Sequence, residues 1–308
     1  MTQSAPILRI GTRGSPLALV QARMVRARLM QATGAPETAF EIVVIKTTGD
    51  AIQDRPLSEV GGKGLFTKEI EEALLGNRVD LAVHSAKDMP TFAQPGLILT
   101  ACLEREDPRD CFISRKAKSF AGLPQGAVLG TASLRRQAIA KAMRPDLRVV
   151  PLRGNVETRL RKLDVGDVDA TLLALAGLKR LGLTEHATHI MPVDEFLPAA
   201  AQGAIGLEAR AGDTRTREIL ARIDHADTSV AVACERAFLA ELDGSCKTPI
   251  AGHATLDGGT LRFRGLLAHP DGQPSMATER SGTRADAVRI GTEAARTIRR
   301  DGHPSLFG

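Results

Sequence analysis

Four arginines in this chain stand beside a short apolar run and a glycine turn. Arg13 lies in L-R-I-G-T-R-G-S-P-L (8–17), Arg135 and Arg136 in V-L-G-T-A-S-L-R-R (128–136), and Arg153 in V-V-P-L-R-G-N (149–155). A strand, a tight turn and then a helix aim backbone N–H groups and the positive end of a helix dipole at an anion. A guanidinium added there is a planar, permanently charged fork matched to a carboxylate or a phosphate. Repetition along one chain points to a small molecule bearing several acidic groups.

Two further segments carry reactive types. In V-H-S-A-K-D-M-P (83–90) an apolar run ends in ionisable residues and is stopped by proline, which puts His84, Ser85, Lys87 and Asp88 at or beyond a sheet edge, where open α/β sheets bind ligands. Asp88 is suited to moving a proton or holding a cation, and Lys87 to pairing an acidic substrate; spacing alone favours a surface turn pair. In L-D-G-S-C-K-T-P-I (242–250) a Gly-Ser turn presents Cys246 next to Lys247, which favours the thiolate. Cys246 is therefore balanced between a covalent attachment point and a small buried hydrophobe. Cys102, Cys111 and Cys234 read as structural. V-G-G-K-G-L-F (60–66) lacks the spacing of a phosphate loop, so nucleotide binding is rejected. With K-T-T-G-D (46–50) it frames a mobile lid of about 15 residues. His186 and His189 lack completing ligands and read as surface residues, so no metal is expected. Arg135 and Arg136, taken alone, read as a solvated helix face.

The elements that must position these groups follow an α/β pattern. Strands are expected at Leu8–Ile10, Glu41–Lys46, Leu81–Val83, Leu97–Ala101, Val128–Gly130, Arg148–Val150 and Ala170–Leu173, with helices from Ser15–Pro16 and through Leu65–Leu75, Ser133–Met143 and Val156–Leu163. I-G-T-R-G-S (10–15) and L-G-T-A-S (129–133) echo one another, as two similar halves meeting at a shared cleft would. C-L-E-R-E-D-P-R-D (102–110) and L-P-A-A-A-Q-G-A-I-G (197–206) read as crossovers, so chain returning after about residue 200 completes the first domain. After Thr228 a helix (Ser229–Leu242), strands at Pro249–Thr255, Leu261–Ala268 and Ser275–Gly282, and a helix from Ala285 form a small α+β domain. The domains expected are 1–103 with 204–222, 104–203, and 223–308.

Composition narrows the class. The 308 residues are 43% hydrophobic and 25% charged, with net charge +5, nine Phe and no Trp or Tyr. Scarce aromatics and interspersed charges of both signs argue against a nucleic-acid partner. M-T-Q-S-A-P-I-L-R-I has neither a basic region nor a long apolar core, no run reaches the ~18 apolar residues of a membrane span, and four scattered cysteines make no disulfide framework. A cytoplasmic protein is expected.

Nine segments in register make the chain resemble the porphobilinogen deaminase (hydroxymethylbilane synthase) family across roughly 8–255. They are T-R-G-S-P-L-A-L (12–19), V-G-G-K-G-L-F (60–66), V-H-S-A-K-D-M-P (83–90), E-R-E-D-P-R-D (104–110), G-T-A-S-L-R-R-Q (130–137), L-R-G-N-V-E-T-R-L (152–160), L-A-G-L-K-R-L-G-L (175–183), A-Q-G-A-I-G-L-E (201–208) and D-G-S-C-K-T-P-I (243–250). The resemblance implies two α/β domains like those of type-II periplasmic binding proteins plus a small α+β C-terminal domain, in a monomer. It implies a transferase of tetrapyrrole biosynthesis that condenses four porphobilinogen molecules, with loss of ammonia, onto a dipyrromethane cofactor. Cys246 would carry that cofactor through a thioether, and Asp88 would be the catalytic carboxylate. Arg13, Arg135, Arg136, Arg153, Arg159 and Arg180 would bind cofactor and substrate carboxylates, with Ser15, Lys87, Thr131, Ser133 and Gln202 as hydrogen-bonding companions. Lys63 and Phe66 would belong to the lid. Ser245 stands where many relatives have Gly, and Ala132 where Ser is common; neither touches the reacting groups. The rival reading is a non-catalytic protein of the same fold binding a polycarboxylate, which needs the arginines but neither Asp88 nor an exposed Cys246.

Overall fold

The computed structural model describes residues 6–51, 67–243 and 248–307. In chain order its elements are β1 (Leu8–Arg13), α1 (Pro16–Thr33), β2 (Phe40–Ile45), α2 (Thr48–Ala51), α3 (Lys68–Leu75), β3 (Leu81–Ser85), β4 (Leu97–Cys102), β5 (Asp110–Ser114), β6 (Val128–Gly130), α4 (Leu134–Met143), β7 (Arg148–Val150), α5 (Val156–Asp164), β8 (Ala170–Ala174), α6 (Leu175–Leu181) and β9 (His189–Ile190). The chain continues through β10 (Ile205–Arg210), α7 (Thr214–Ala221), α8 (Ala226–Glu241), β11 (Ile250–Asp257), β12 (Thr260–Ala268), β13 (Ser275–Thr283) and α9 (Ala287–Asp301). Contacts divide the chain into two compact units, Met1–Arg105 with Ala204–Ser229, and Glu106–Gly203 with Val230–Gly308.

The first unit holds a five-stranded sheet of order β2-β1-β3-β10-β4, in which β1 runs parallel to β2 and β3 while β10 is antiparallel to β3 and β4. Both faces are covered. Leu8, Ile10 and Leu81 pack with Val25 and Leu29 of α1, while Ala82 and Ile45 pack with Ile70 and Leu74 of α3. Alternating side chains along a strand serve the two layers. Helix α1 starts where the sequence signals it, with Ser15 Oγ accepting from Ala18 N (3.3 Å), proline in the first turn, and Gly34 closing the helix in the left-handed region.

The second unit repeats the arrangement in β7-β6-β8-β5-β9, again parallel around β6 with one antiparallel strand in fourth place. Phe112 faces Leu129, Ile139 and Phe196, while Cys111 and Ile113 face Leu160 and Leu178. β1 and β6 hold equivalent places, so the I-G-T/L-G-T echo is structural. β5 and β10 are where expectation and structure part. The segments read as crossovers run directly into strands that sit inside the sheets, β10 carrying Glu208 and Gly206 and β5 opening on Asp110.

The remainder of that unit is a three-stranded antiparallel sheet, β11-β12-β13, covered by α8 and α9. Phe238 of α8 and Phe263 of β12 stack tilted at 4.9 Å between centroids. The two helices approach backbone to backbone at Gly291, where a Cβ would lie 2.1 Å from the Cys234 carbonyl oxygen.

Gly291→Ala is therefore expected to lower stability by about 1–3 kcal/mol, the usual cost of overpacking, seen as a lower urea midpoint at unchanged m-value. In the first unit Asp80 fastens β1, accepting from Arg9 N (2.8 Å), Nε (3.0 Å) and Nη2 (2.8 Å), and Arg210 of β10 adds a contact at 3.4 Å. Burial raises the Asp80 pKa, but the bonds from Arg9 outweigh it and hold the carboxyl below its ordinary value. A folded value below the unfolded one means that this stabilisation is complete above about pH 4 and is lost as pH falls toward the folded value. Asp80→Asn should thus cost more near neutrality than at about pH 3, the urea midpoints of variant and parent converging on acidification.

Candidate functional site

In the first sheet β1 and β3 are parallel neighbours, with Ile10 opposite Leu81 and Gly11 opposite Ala82. Their C-terminal ends therefore deliver Arg13 and Ser15, and Ser85 to Asp88, to one edge of the sheet. Ser85 ends β3 hydrogen-bonded to the Gln21 amide of α1 (2.9 and 3.2 Å). A short 3-10 turn, Ala86–Asp88, comes next; Ala86 N donates to Ala204 O (3.0 Å) at its start and Met89 N to Ala86 O at its end. Lys87 is half-buried on this turn and Asp88 is exposed. An exposed carboxylate on a braced turn can exchange protons with a bound molecule and face a developing positive charge.

His84 departs from the sequence expectation. It does not reach the edge but lies inside β3, with Nε2 3.1 Å from Glu208 Oε2 of β10, both side chains buried. Glu71 of α3 is close enough to feel that pair: burial, and then the charge of Glu208, raise its carboxyl above its ordinary value. Successive residues of a strand point to opposite faces, so His84 turns to Glu208 on one side and Ser85 to Gln21 of α1 on the other.

The second sheet presents its own edge in the same manner. Gly130 of β6 is opposite Val150 of β7 and Thr171 of β8, so Thr131–Ser133, Pro151–Arg153 and the start of α6 all lie together beyond the strand ends. Ser133 caps α4, accepting from Arg136 N, and Thr131 Oγ1 accepts from Ser133 N (3.1 Å). Asn155 caps α5, accepting from Thr158 N (2.8 Å), after Gly154, whose φ of +112° no other residue adopts without strain. That turn leaves Arg153 half-buried at the edge and lets Arg159 Nε donate to Gly154 O (2.9 Å).

Arg135 and Arg136 are only 5% and 6% exposed, which overturns the solvated-face reading. The reason is Asp110, fully buried at the start of β5. Because β5 runs antiparallel, its first residue arrives at the edge where the parallel strands end. Arg136 donates from Nε (2.9 Å) and Nη2 (2.7 Å) to Asp110 Oδ1, and Arg135 Nη1 lies 2.8 Å from Oδ2 while donating to Leu197 O (2.8 Å). Gln202 Nε2 donates to Asp110 Oδ1 (3.2 Å) and Pro108 O (2.7 Å). Burial pushes the Asp110 pKa up, but the two guanidinium charges outweigh it and hold the carboxyl far below the ordinary range. Burial lowers the pKa of Arg135, with Asp110 opposing. Sequence reasoning missed Asp110; its one signal was an acidic residue ending the segment 102–110 read as a crossover, directly before the apolar run C-F-I (111–113).

Arg180, on α6, donates from Nη2 to Gly203 O (2.6 Å), while its Nε is buried without a hydrogen-bond partner. Burial lowers its pKa. Cys102, Cys111 and Cys234 are buried, and burial pushes the Cys111 and Cys234 thiols up to about 12, so neither supplies a thiolate. His186 is partly exposed and His189 exposed, and among the described residues no group of three or more His, Cys, Asp or Glu could hold a metal ion. Cys246, Lys63 and Phe66 lie outside the described residues.

Residues 8–218 match the family model described as "Porphobilinogen deaminase, dipyromethane cofactor binding domain", and residues 229–300 match "Porphobilinogen deaminase, C-terminal domain". The chain is 56% identical over 298 residues to a porphobilinogen deaminase of Nitrobacter hamburgensis and 57% identical to that of Nitrobacter winogradskyi, each match covering 97% of this chain and 94% of the relative. Among solved structures it is similar to the methionine-binding protein MetQ at 11% identity and a TM-score of 0.45, over 70% of this chain and 89% of that one. With both family domains matched in order along nearly the whole sequence, this chain belongs to the porphobilinogen deaminase family.

Proposed function

We propose that the chain joins four porphobilinogen molecules head to tail, releasing ammonia at each step, and frees the linear tetrapyrrole hydroxymethylbilane by hydrolysis. The observation that carries this is the position of Asp88, an exposed carboxylate on the turn that ends β3, at the sheet edge shared with Arg13 and Ser15. A polycarboxylate-binding protein has use for the arginines but none for such a carboxylate.

Porphobilinogen is a pyrrole with acetate and propionate side chains and an aminomethyl group. Breaking its C–N bond expels ammonia and leaves an electron-poor cationic carbon; forming the new C–C bond then requires loss of a ring proton. Asp88 serves both events, its negative charge facing the cation and its oxygen accepting the proton. Lys87, beside it, is the companion for a substrate carboxylate.

A dipyrromethane bears several carboxylates, and the second sheet's edge fits such a group. Arg180 has a buried Nε–H with no acceptor, and burial disfavours its charge, two deficits that a carboxylate removes. Arg135, Arg136, Arg153 and Arg180 would hold the cofactor's acidic side chains, and Cys246 would anchor it through a thioether. When bound, the cofactor supplies the pyrrole carbon onto which the first unit is joined. In this proposal 223–308 form a third domain carrying Cys246, and the enzyme works as a cytoplasmic monomer on a small molecule, without nucleic acid or membrane.

Two measurements test this. The intact mass of the purified chain should exceed the chain mass by two porphobilinogen units less two ammonia, and Cys246→Ser should lack the excess. Bare mass in the parent, together with failure to load on incubation with porphobilinogen, would favour the binding-protein reading. Asp88→Asn should fold normally, since the side chain is exposed, and lose about 10²–10⁴-fold in turnover, the range of a general acid–base group. Near-parental turnover would remove Asp88 from the mechanism.

A further inference from the structure

Asp110 touches more of the anion-binding machinery than any single residue assigned to it above. Its backbone is fixed from both sides, paired with Ala174 of β8 and accepting from Met191 N (2.9 Å). From this rigid base its carboxylate meets two side chains of α4 and one from the segment before β10. Arg136 spends two N–H groups of one side on Oδ1, and Gln202 adds a third bond to the same oxygen. Arg135 is steadied from three directions, by Oδ2, by Leu197 O and by the Phe196 ring 5.8 Å from its guanidinium carbon. Every one of these contacts is made by the chain itself. The charge count is equally definite: two guanidiniums and one carboxylate leave one positive charge in a buried cluster, a balance met by one further carboxylate.

We propose that Asp110 is a positioning residue that assembles Arg135, Arg136 and Gln202 for the cofactor and substrate and cancels one of the two positive charges, so that the cluster takes a single carboxylate. This rests on the function proposed above. Asparagine at 110 keeps the shape but turns an N–H₂ group and no charge toward two guanidiniums. Glutamate keeps the charge but displaces it by one methylene.

The full-length Asp110→Asn and Asp110→Glu chains are compared with the parent for the fraction bearing the cofactor mass, for KM and kcat of the loaded molecules, and for the urea midpoint. The expected result is about a tenfold or larger rise in KM and a depleted loaded fraction, with kcat of loaded molecules within about threefold, the pattern of lost binding rather than lost chemistry. A merely structural Asp110 would lower the urea midpoint and leave KM and loading at parental values in folded variants; that result overturns the proposal. Where Asp110→Asn does not accumulate folded, Asp110→Glu decides by the same criterion. A third readout needs no change at 110. In Cys246→Ser, which lacks the thiol for the cofactor, the Nε–H of Arg136, which donates to Asp110 Oδ1, should exchange with solvent far more slowly than that of an exposed arginine. Exchange as fast as at an exposed arginine would show that Asp110 does not hold Arg136 and would overturn the proposal. A parent chain that neither carries the mass excess nor consumes porphobilinogen refutes the function instead, and the exchange measurement still judges Asp110.

Discussion

Two guanidiniums cannot be taken out of water side by side unless a negative charge goes with them, because desolvation and mutual repulsion together exceed anything that packing returns. In this chain that negative charge is Asp110. Its presence allows Arg135 and Arg136 to sit at the inner end of α4, where they are nearly inaccessible, in place of extending into solvent as their types and sequence context imply. Chain well beyond α4 inherits the arrangement. Leu197 and Gln202, in the stretch leading to β10, are tied to the same cluster, so the path by which the chain leaves the second sheet is set in part by one ion pair network.

The sheet topology explains why that carboxylate can be there at all. In an open parallel sheet the loops at the C-terminal strand ends are the natural place for ligand-binding groups. Here each sheet admits one antiparallel strand in fourth position, β10 in the first and β5 in the second. An antiparallel strand brings its beginning to the edge where its neighbours end. Asp110 opens β5 and Ala204 immediately precedes β10, so residues on the incoming crossovers join those on the outgoing loops. In each sheet, taken by itself, that edge is thereby supplied from both chain directions.

Elements bounded by turn residues were legible in the sequence. β6 and β7 fall where the apolar runs Val128–Gly130 and Arg148–Val150 place them, and Ser15, Ser133 and Asn155 begin helices by the hydrogen bonds their types favour. β5 and β10 were not, for a shared reason. Each is interrupted or opened by a residue that looks wrong for a central strand, Asp110 in one and Gly206 and Glu208 in the other, and the two acids are explained by partners distant in sequence. Glu208 needs His84, and Asp110 needs Arg135 and Arg136. The motif resemblance singled out Arg135 and Arg136; only the three-dimensional pairing showed Asp110 between them.

The position of β10 also bears on how the chain comes to be folded during synthesis. β1 to β4 are made by residue 102, yet the strand that lies between β3 and β4 is not translated until residues 205–210. The strands of the second sheet, by contrast, are all made by residue 190. Emerging from the ribosome, the domain encoded later therefore reaches its full strand complement before the one encoded earlier, whose β3 and β4 must wait about 100 residues, or some 5–20 seconds at ordinary elongation rates, with unpaired edges. An N-terminal fragment ending anywhere before residue 205 would carry that gap permanently, so the sheet begun first in synthesis is completed only after the second.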